Sequence, residues 1–168
     1  AASDVYKRQA VAMAKLAHLA GKEALAAEFE ARAARLRTLT QDYLWNTERS
    51  FFEVRHPDGA FTEVREAIGF IPWYFNLPEA DKGYEVAWKQ LTDEDGFWAP
   101  KGLTTAERRH PEFRTRGVGY CEWDGAVWPY ATSQTLVALA NVLRDYPNTP
   151  VSRENYYDAF ITYTRAQR

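Results

Sequence analysis

From Ala10 to Leu44 the chain carries apolar residues on a helical period and a single helix breaker, Gly21, with no proline. The spacing predicts a helix from Ala10 to Ala20 with Met13, Leu16 and Leu19 on a period near three. Gly21 closes it, because a residue without Cβ enters the left-handed conformation that ends helices at little cost. A second helix is expected from Lys22 to Leu44. Leu25, Phe29, Leu36, Leu39 and Tyr43 form its expected apolar stripe, and Glu23, Glu28, Arg32 and Arg35 face water. Trp45-Asn46 ends it. Two long helices joined by one glycine read as a helical hairpin.

The texture then changes. Phe51 to Val54 is a short strand-like run, His56-Pro57-Asp58-Gly59 a turn, and Phe61 to Val64 a strand that could pair back. A short buried helix is expected within Glu66 to Phe75, and a further helix over Glu79 to Leu91. Thr92 to Tyr120 is a long irregular stretch. Loops of that length in a compact domain are functional or disordered, and Phe97, Trp98, Phe113 and Tyr120 argue against disorder. A helical pattern runs from Ala126 to Tyr146, with Pro129 tolerated in its first turn. Ser152 offers an N-cap to a last helix carrying Tyr156, Phe160 and Tyr163. The expected architecture is all-α, about six helices in hairpins, with a small β-hairpin in one connection.

Several function classes drop out. Lys and Arg total 21 against 23 Asp and Glu, so no basic excess exists to neutralise phosphates, and no nucleic-acid partner is expected. No apolar run approaches the roughly 20 residues of a membrane-spanning helix, so no membrane partner is expected. Cys121 is the one cysteine, which excludes an internal disulfide. His18, His56 and His110 lack metal-ligand spacing, so neither a metal nor a cofactor is expected. Gly117-Val118-Gly119 lacks the third glycine of a dinucleotide turn. Ser133 lies in a helix without a nucleophile elbow and reads as a back-bonding residue.

What remains is carboxylates among aromatics, which make up 15% of the chain. The densest run is Tyr120 to Tyr130, with Glu122, Trp123, Asp124 and Trp128. Asp124 there reads either as a helix cap or as a sugar anchor beside an indole wall. A few polar anchors in an apolar wall are the usual make-up of a small-ligand site. Arg65-Glu66 opens an apolar segment that includes Trp73, either as a surface cap or as a buried pair. Thr104 to Pro111 reads first as a solvated turn.

These three clusters carry a resemblance. REAIGFIPWYFNLP (Arg65 to Pro78), DGFWAPKGLTTAERRHPEF (Asp95 to Phe113) and CEWDGAVWPYATSQTLVALANVL (Cys121 to Leu143) closely resemble the mannosylglycerate-hydrolase-like glycoside hydrolases. These are six-hairpin (α/α)6-barrel glycosidases related to family 63. The resemblance implies a partial (α/α)6 toroid and hydrolysis of a glycosidic bond with inversion, one carboxylic acid protonating the leaving oxygen and another activating water. It implies a small carbohydrate as substrate. The residues that match the family's sugar pocket are Arg65, Glu66, Trp73, Trp123, Asp124 and Trp128. No counterpart of the family's acid or base motif is found, so the catalytic pair is expected outside this sequence.

Ala1 to Gln9 resembles the in-frame translation of a transposase adapter used in sequencing libraries. Residues 1–9 are therefore expected to be an artefact that packs against nothing, and residues 10–168 a fragment of a glycosidase catalytic domain. The alternatives are another (α/α)6 sugar enzyme (a trehalase, a debranching glucosidase or a sugar epimerase) and a non-catalytic helical-repeat scaffold. The irregular aromatic stretch from Thr92 to Tyr120 speaks against the scaffold.

Overall fold

The computed structural model describes residues 2–115 and 123–167, with side chains described from residue 6 onward. The Gly117-Val118-Gly119 turn and the Tyr120, Cys121 and Glu122 part of the aromatic-acidic run lie outside the described residues. Two compact units are present, Ala1–Trp45 and Asn46–Arg168.

The first unit is the expected helical hairpin, α1 (Ala2–Leu19) and α2 (Glu23–Leu44). Its link is a Schellman turn. Gly21 sits at φ 67°, its N–H donates to His18 O, and the Lys22 N–H donates to Ala17 O at 2.9 Å. The seam is built from small residues. Ala10, Ala14 and Ala17 of α1 and Ala26, Ala33 and Thr40 of α2 are buried, whereas Leu25, Leu39 and Tyr43 are exposed. This corrects the expected stripe. Ala26, Ala33 and Thr40 repeat every seven residues, the spacing that keeps one narrow seam facing a partner helix, and small side chains let the two backbones approach. Lys7 continues the α1 seam and is buried, so the expectation that everything up to Gln9 packs against nothing fails at that residue. Its alkyl stem is apolar enough to lie along such a seam.

The second unit surrounds an aromatic core. β1 (Trp45–Asn46), whose Asn46 opens the unit, pairs with β2 (Phe51–Phe52). The expected hairpin from Phe51 to Val64 is present only as a narrow turn, with an antiparallel bridge between Arg55 and Phe61. A 3-10 turn over Ala67–Phe70 runs into the one-turn helix α3 (Ile71–Tyr74), where a short buried helix was expected. The helix expected from Glu79 begins only at Tyr84, as a 3-10 turn over Tyr84–Trp88 followed by α4 (Lys89–Thr92). Gly83, at φ 83°, breaks the segment before it. β3 (Trp98–Ala99) and β4 (Gly102–Leu103) form a second small hairpin. Two long helices close the unit, α5 (Pro129–Asp145) and α6 (Arg153–Arg165).

Phe51, Phe70, Trp73, Trp88 and Phe97 are fully buried, with ring centroids 4.5–5.8 Å apart. Such ring pairs contribute about 0.5–1.5 kcal/mol each beyond their buried area. Gly69 is required where this core meets β2, because a Cβ there would stand 2.3 Å from the Phe52 carbonyl oxygen. α5 lays Leu136, Ala138, Leu139 and Val142 on the core, and its Asn141 side chain donates to Trp73 O and Tyr74 O at 3.0 Å each. The molecule is mostly helical with two small antiparallel ladders, the fold class the sequence predicted. No helix among the described residues is long and apolar enough to cross a membrane.

Candidate functional site

The three clusters singled out in the sequence are stitched to one another by backbone. Glu66 bridges Ala106, and Thr104 bridges Val127, both antiparallel. Ala67 N–H donates to Thr105 O at 2.8 Å, and Glu107 N–H to Arg65 O at 2.9 Å. Thr105 then holds the third segment through its side chain. Its hydroxyl donates to Ala126 O at 3.0 Å and accepts from Gly125 N–H at 3.1 Å.

Trp123 and Trp128 are brought together edge to face, centroids 5.3 Å apart, and Tyr130 stands 5.0 Å beyond Trp128. Both indoles are half-buried and Tyr130 is exposed. They therefore present ring surface to solvent from a fixed backbone. Asp124 does not cap a helix. α5 starts five residues later at Pro129, and its N-cap is Trp128. Instead the Arg114 guanidinium donates through Nε and Nη2 to Asp124 Oδ2, and Arg114 N–H donates to Asp124 O at 2.9 Å. Asp124 Oδ1 is buried without a hydrogen-bond partner. Gly125 is obligatory beside it, because at φ 149° a Cβ would meet Arg114 O at 2.2 Å.

Glu66 is half-buried, and burial, with the nearby Glu53 charge, holds its carboxyl above the usual carboxylate range. Arg65 is neither a surface cap nor an open sugar ligand. Its Nη1 donates to Glu107 Oε2 at 2.7 Å, and Nε and Nη2 donate to Arg49 O at 3.2 and 2.7 Å. Glu107 is buried, and Arg49 and Arg109 also bear on its carboxylate. Glu53, likewise buried, accepts from Arg49 Nε at 2.5 Å and from Asn46 Nδ2 at 2.9 Å. The stretch from Thr104 was read first as a solvated turn; this is corrected by Thr104, Thr105 and Glu107, all at 4% exposure or less. A carboxylate surrounded by guanidiniums can be buried where a lone one cannot.

Trp73 is placed elsewhere. It is fully buried, with its ring against Phe52 and Trp88, so it builds the aromatic core and offers no face to a ligand from solvent. Sequence reasoning missed Glu53 and Arg49; it singled out the run that holds Thr105 and Glu107 but read it first as a solvated turn, because polar residues in a sequence give no hint of burial. Among the described residues no group of three His, Cys, Asp or Glu side chains is arranged to hold a metal.

A model of the mannosylglycerate hydrolase MGH1-like glycoside hydrolase domain matches residues 3–168. The chain belongs to this glycoside hydrolase family. Among solved structures, the MGH1-like chain is similar to a protein named as a sialidase, at 51% identity and a TM-score of 0.93, over 99% of this chain and 15% of that one. It is also similar to a GH63 mannosylglycerate hydrolase from Thermus thermophilus in complex with glucose, at 19% identity and a TM-score of 0.64, over 98% of this chain and 36% of that one. The second likeness concerns the fold. The chain spans about a seventh of the first protein's length and about a third of the second's. No curated protein matches it.

Proposed function

We propose that this MGH1-like segment supplies a sugar-binding wall to an inverting glycoside hydrolase acting on a small neutral saccharide or glycoside. The observation that carries the reading is the pairing of Trp123 with Trp128 beside Asp124, on a loop bonded to the Thr104–Ala106 segment, which in turn bridges Glu66. Apolar sugar faces stack on indole, and hydroxyls need acceptors and donors at the rim of such a wall. Glu66, half-buried on that neighbouring segment, offers a carboxyl to a sugar hydroxyl. The glucose in complex with the Thermus enzyme supports a sugar of that kind. An acidic sugar is disfavoured, because the guanidiniums near the wall, Arg65 and Arg114, already serve Glu107 and Asp124.

The reaction needs a general acid and a water-activating base, held apart with water between them. Asp124, an anion tied to Arg114, does not fit the acid. On this reading the acid and base come from sequence other than the chain described, and Arg65 serves as a scaffold for Glu66.

Tryptophan fluorescence titration tests the proposal with glucose, a disaccharide and N-acetylneuraminic acid as probes. Saturable quenching by the neutral sugars that is lost in Trp123→Ala and kept in Trp98→Phe is expected. No response to any sugar, or a response to N-acetylneuraminic acid alone, would overturn it.

A further inference from the structure

We infer that Thr105 is a positioning residue, whose buried hydroxyl sets the Trp123–Trp128 wall against the segment carrying Glu66. The inference rests on the sugar-wall reading for its functional meaning, but its geometry stands apart from it.

Thr105 has no exposed surface, and its two kinds of polar group face opposite neighbours. The backbone carbonyl accepts from Ala67 N–H at 2.8 Å, the residue after Glu66. The hydroxyl uses its one proton on Ala126 O at 3.0 Å and one lone pair on Gly125 N–H at 3.1 Å. Those two peptide groups lie between Asp124 and Val127, in the middle of the loop whose ends are the paired indoles. Around Thr105 the bridges Glu66–Ala106 and Thr104–Val127 attach the same two segments from either side. One residue thus joins the two segments, its backbone carbonyl holding the one that carries Glu66 and its side chain holding the loop of the indoles.

The chemistry demands a hydroxyl. Valine has the same shape but neither gives nor takes a hydrogen bond, and would strand a buried N–H and a carbonyl. Gly125 has little room to shift in place and relieve them, since the Arg114 backbone fills the space where its Cβ would stand. The loop as a whole would move, and the indoles with it. Serine keeps both bonds. Thr104 provides a matched control. It is buried to a similar degree, but its hydroxyl serves Phe97 O and Ala106 O and does not reach the loop.

The test follows the six indole N–H resonances of the 15N-labelled chain, assigned by single Trp→Phe variants, together with glucose titrations. Thr105→Val is expected to move the Trp123 and Trp128 resonances, leave those of Trp73 and Trp88 in place, and weaken glucose binding about tenfold. Tenfold corresponds to roughly 1.4 kcal/mol of binding free energy, the cost of realigning a loop that the two bonds no longer hold. Thr105→Ser should restore both readouts, and Thr104→Val should lower the melting temperature without moving either. If Thr105→Val does not fold, Thr105→Cys, with a weak donor of similar size, should give the same selective shift in smaller measure. Unmoved Trp123 and Trp128 resonances in a folded Thr105→Val or Thr105→Cys protein would reduce Thr105 to an ordinary core hydroxyl and end the inference. Selective movement in a chain that binds no glucose would uphold the positioning role while removing the sugar reading.

Discussion

At the scale of single residues, the ion network around Glu107 has the larger stake in stability. Glu107 is buried among the guanidiniums of Arg49, Arg65 and Arg109, and its Oε1 also accepts from Arg65 N–H at 3.0 Å. Removing it leaves positive charge uncompensated in a dry setting, which costs about 3–5 kcal/mol. Glu107→Ala is therefore expected to lower the stability read from urea unfolding by that amount, and Arg109→Ala, whose partner Asp93 is part-exposed, by much less. Glu66 behaves in the opposite sense. Its folded pKa is raised, so the ionised form penalises the fold. That penalty is fully present above the raised value and fades as pH falls towards the ordinary 4.5. Glu66→Gln should accordingly be more stable than the parent chain at neutral pH, with the gap closing in a urea series taken to acid pH. A gap that widens on acidification would refute the assignment. Side-chain roles of this sort were the least legible from sequence. Arg65, Glu66 and Trp73 lie in one segment, yet one scaffolds, one half-faces solvent and one is core. Which way each points depends on the neighbours that β2, the 3-10 turns and α5 bring to it.

At the scale of elements, legibility followed length and period. α1, α2, α5 and α6 repeat over enough turns for their pattern to exceed the noise, and their boundaries are local: Gly21, Trp45 and Tyr146 as stops and Ser152 as a start. The short pieces between them are fixed by tertiary contact and could be read only as irregular. α6 opens on a complete capping box. Ser152 Oγ accepts from Asn155 N–H at 3.3 Å, and Asn155 Oδ1 accepts from Ser152 N–H at 2.9 Å. Ser152→Ala should cost about 0.5–2 kcal/mol, seen as a lower melting temperature, with Ser152→Asp losing little of it. In the hairpin of the first unit, His18 donates from both ring nitrogens when protonated, to Glu23 at 2.8 Å and Glu30 at 3.0 Å. These bonds, that to Glu30 foremost, raise its pKa above 6.5. The sign follows directly. The clamp's contribution is fully present below about pH 6.5, the unfolded value, and is lost as pH rises through the folded one. Both partners are exposed, so the effect is small and screened by salt. Titrating the His18 ring by NMR should give a raised pKa that returns towards 6.5 in Glu30→Gln.

At the scale of the whole molecule, chemistry and surface lead to one expectation: the chain alone should hydrolyse no glycoside above background. Inversion requires a protonated carboxyl at the leaving oxygen and an ionised one at water. Of the two carboxyls assigned to the proposed wall, Asp124 is spent on Arg114, and Glu66 alone leaves water without an activator. Removing one member of such a pair slows catalysis by orders of magnitude, and lacking a proper pair removes the mechanism. Meanwhile Leu16, Leu19, Leu39 and Tyr43 in the first unit, and Val137, Tyr157 and Phe160 in the second, expose apolar surface. Exposed apolar side chains in this number promote association, so light scattering should show self-association that rises with concentration and salt. The assay uses aryl glycosides and disaccharides on material that scatters as monomer, so that lost activity cannot be blamed on precipitation. Turnover that disappears in Asp124→Asn would put a catalytic carboxyl on the Trp123–Trp128 loop and overturn the proposed division between a binding wall here and catalytic groups elsewhere. Turnover that survives Asp124→Asn but disappears in Glu66→Gln would move the acid to the Arg65–Ala67 segment instead. Sugar binding without turnover, lost in Trp123→Ala, is the outcome that the paired indoles and the tethered carboxylate lead one to expect.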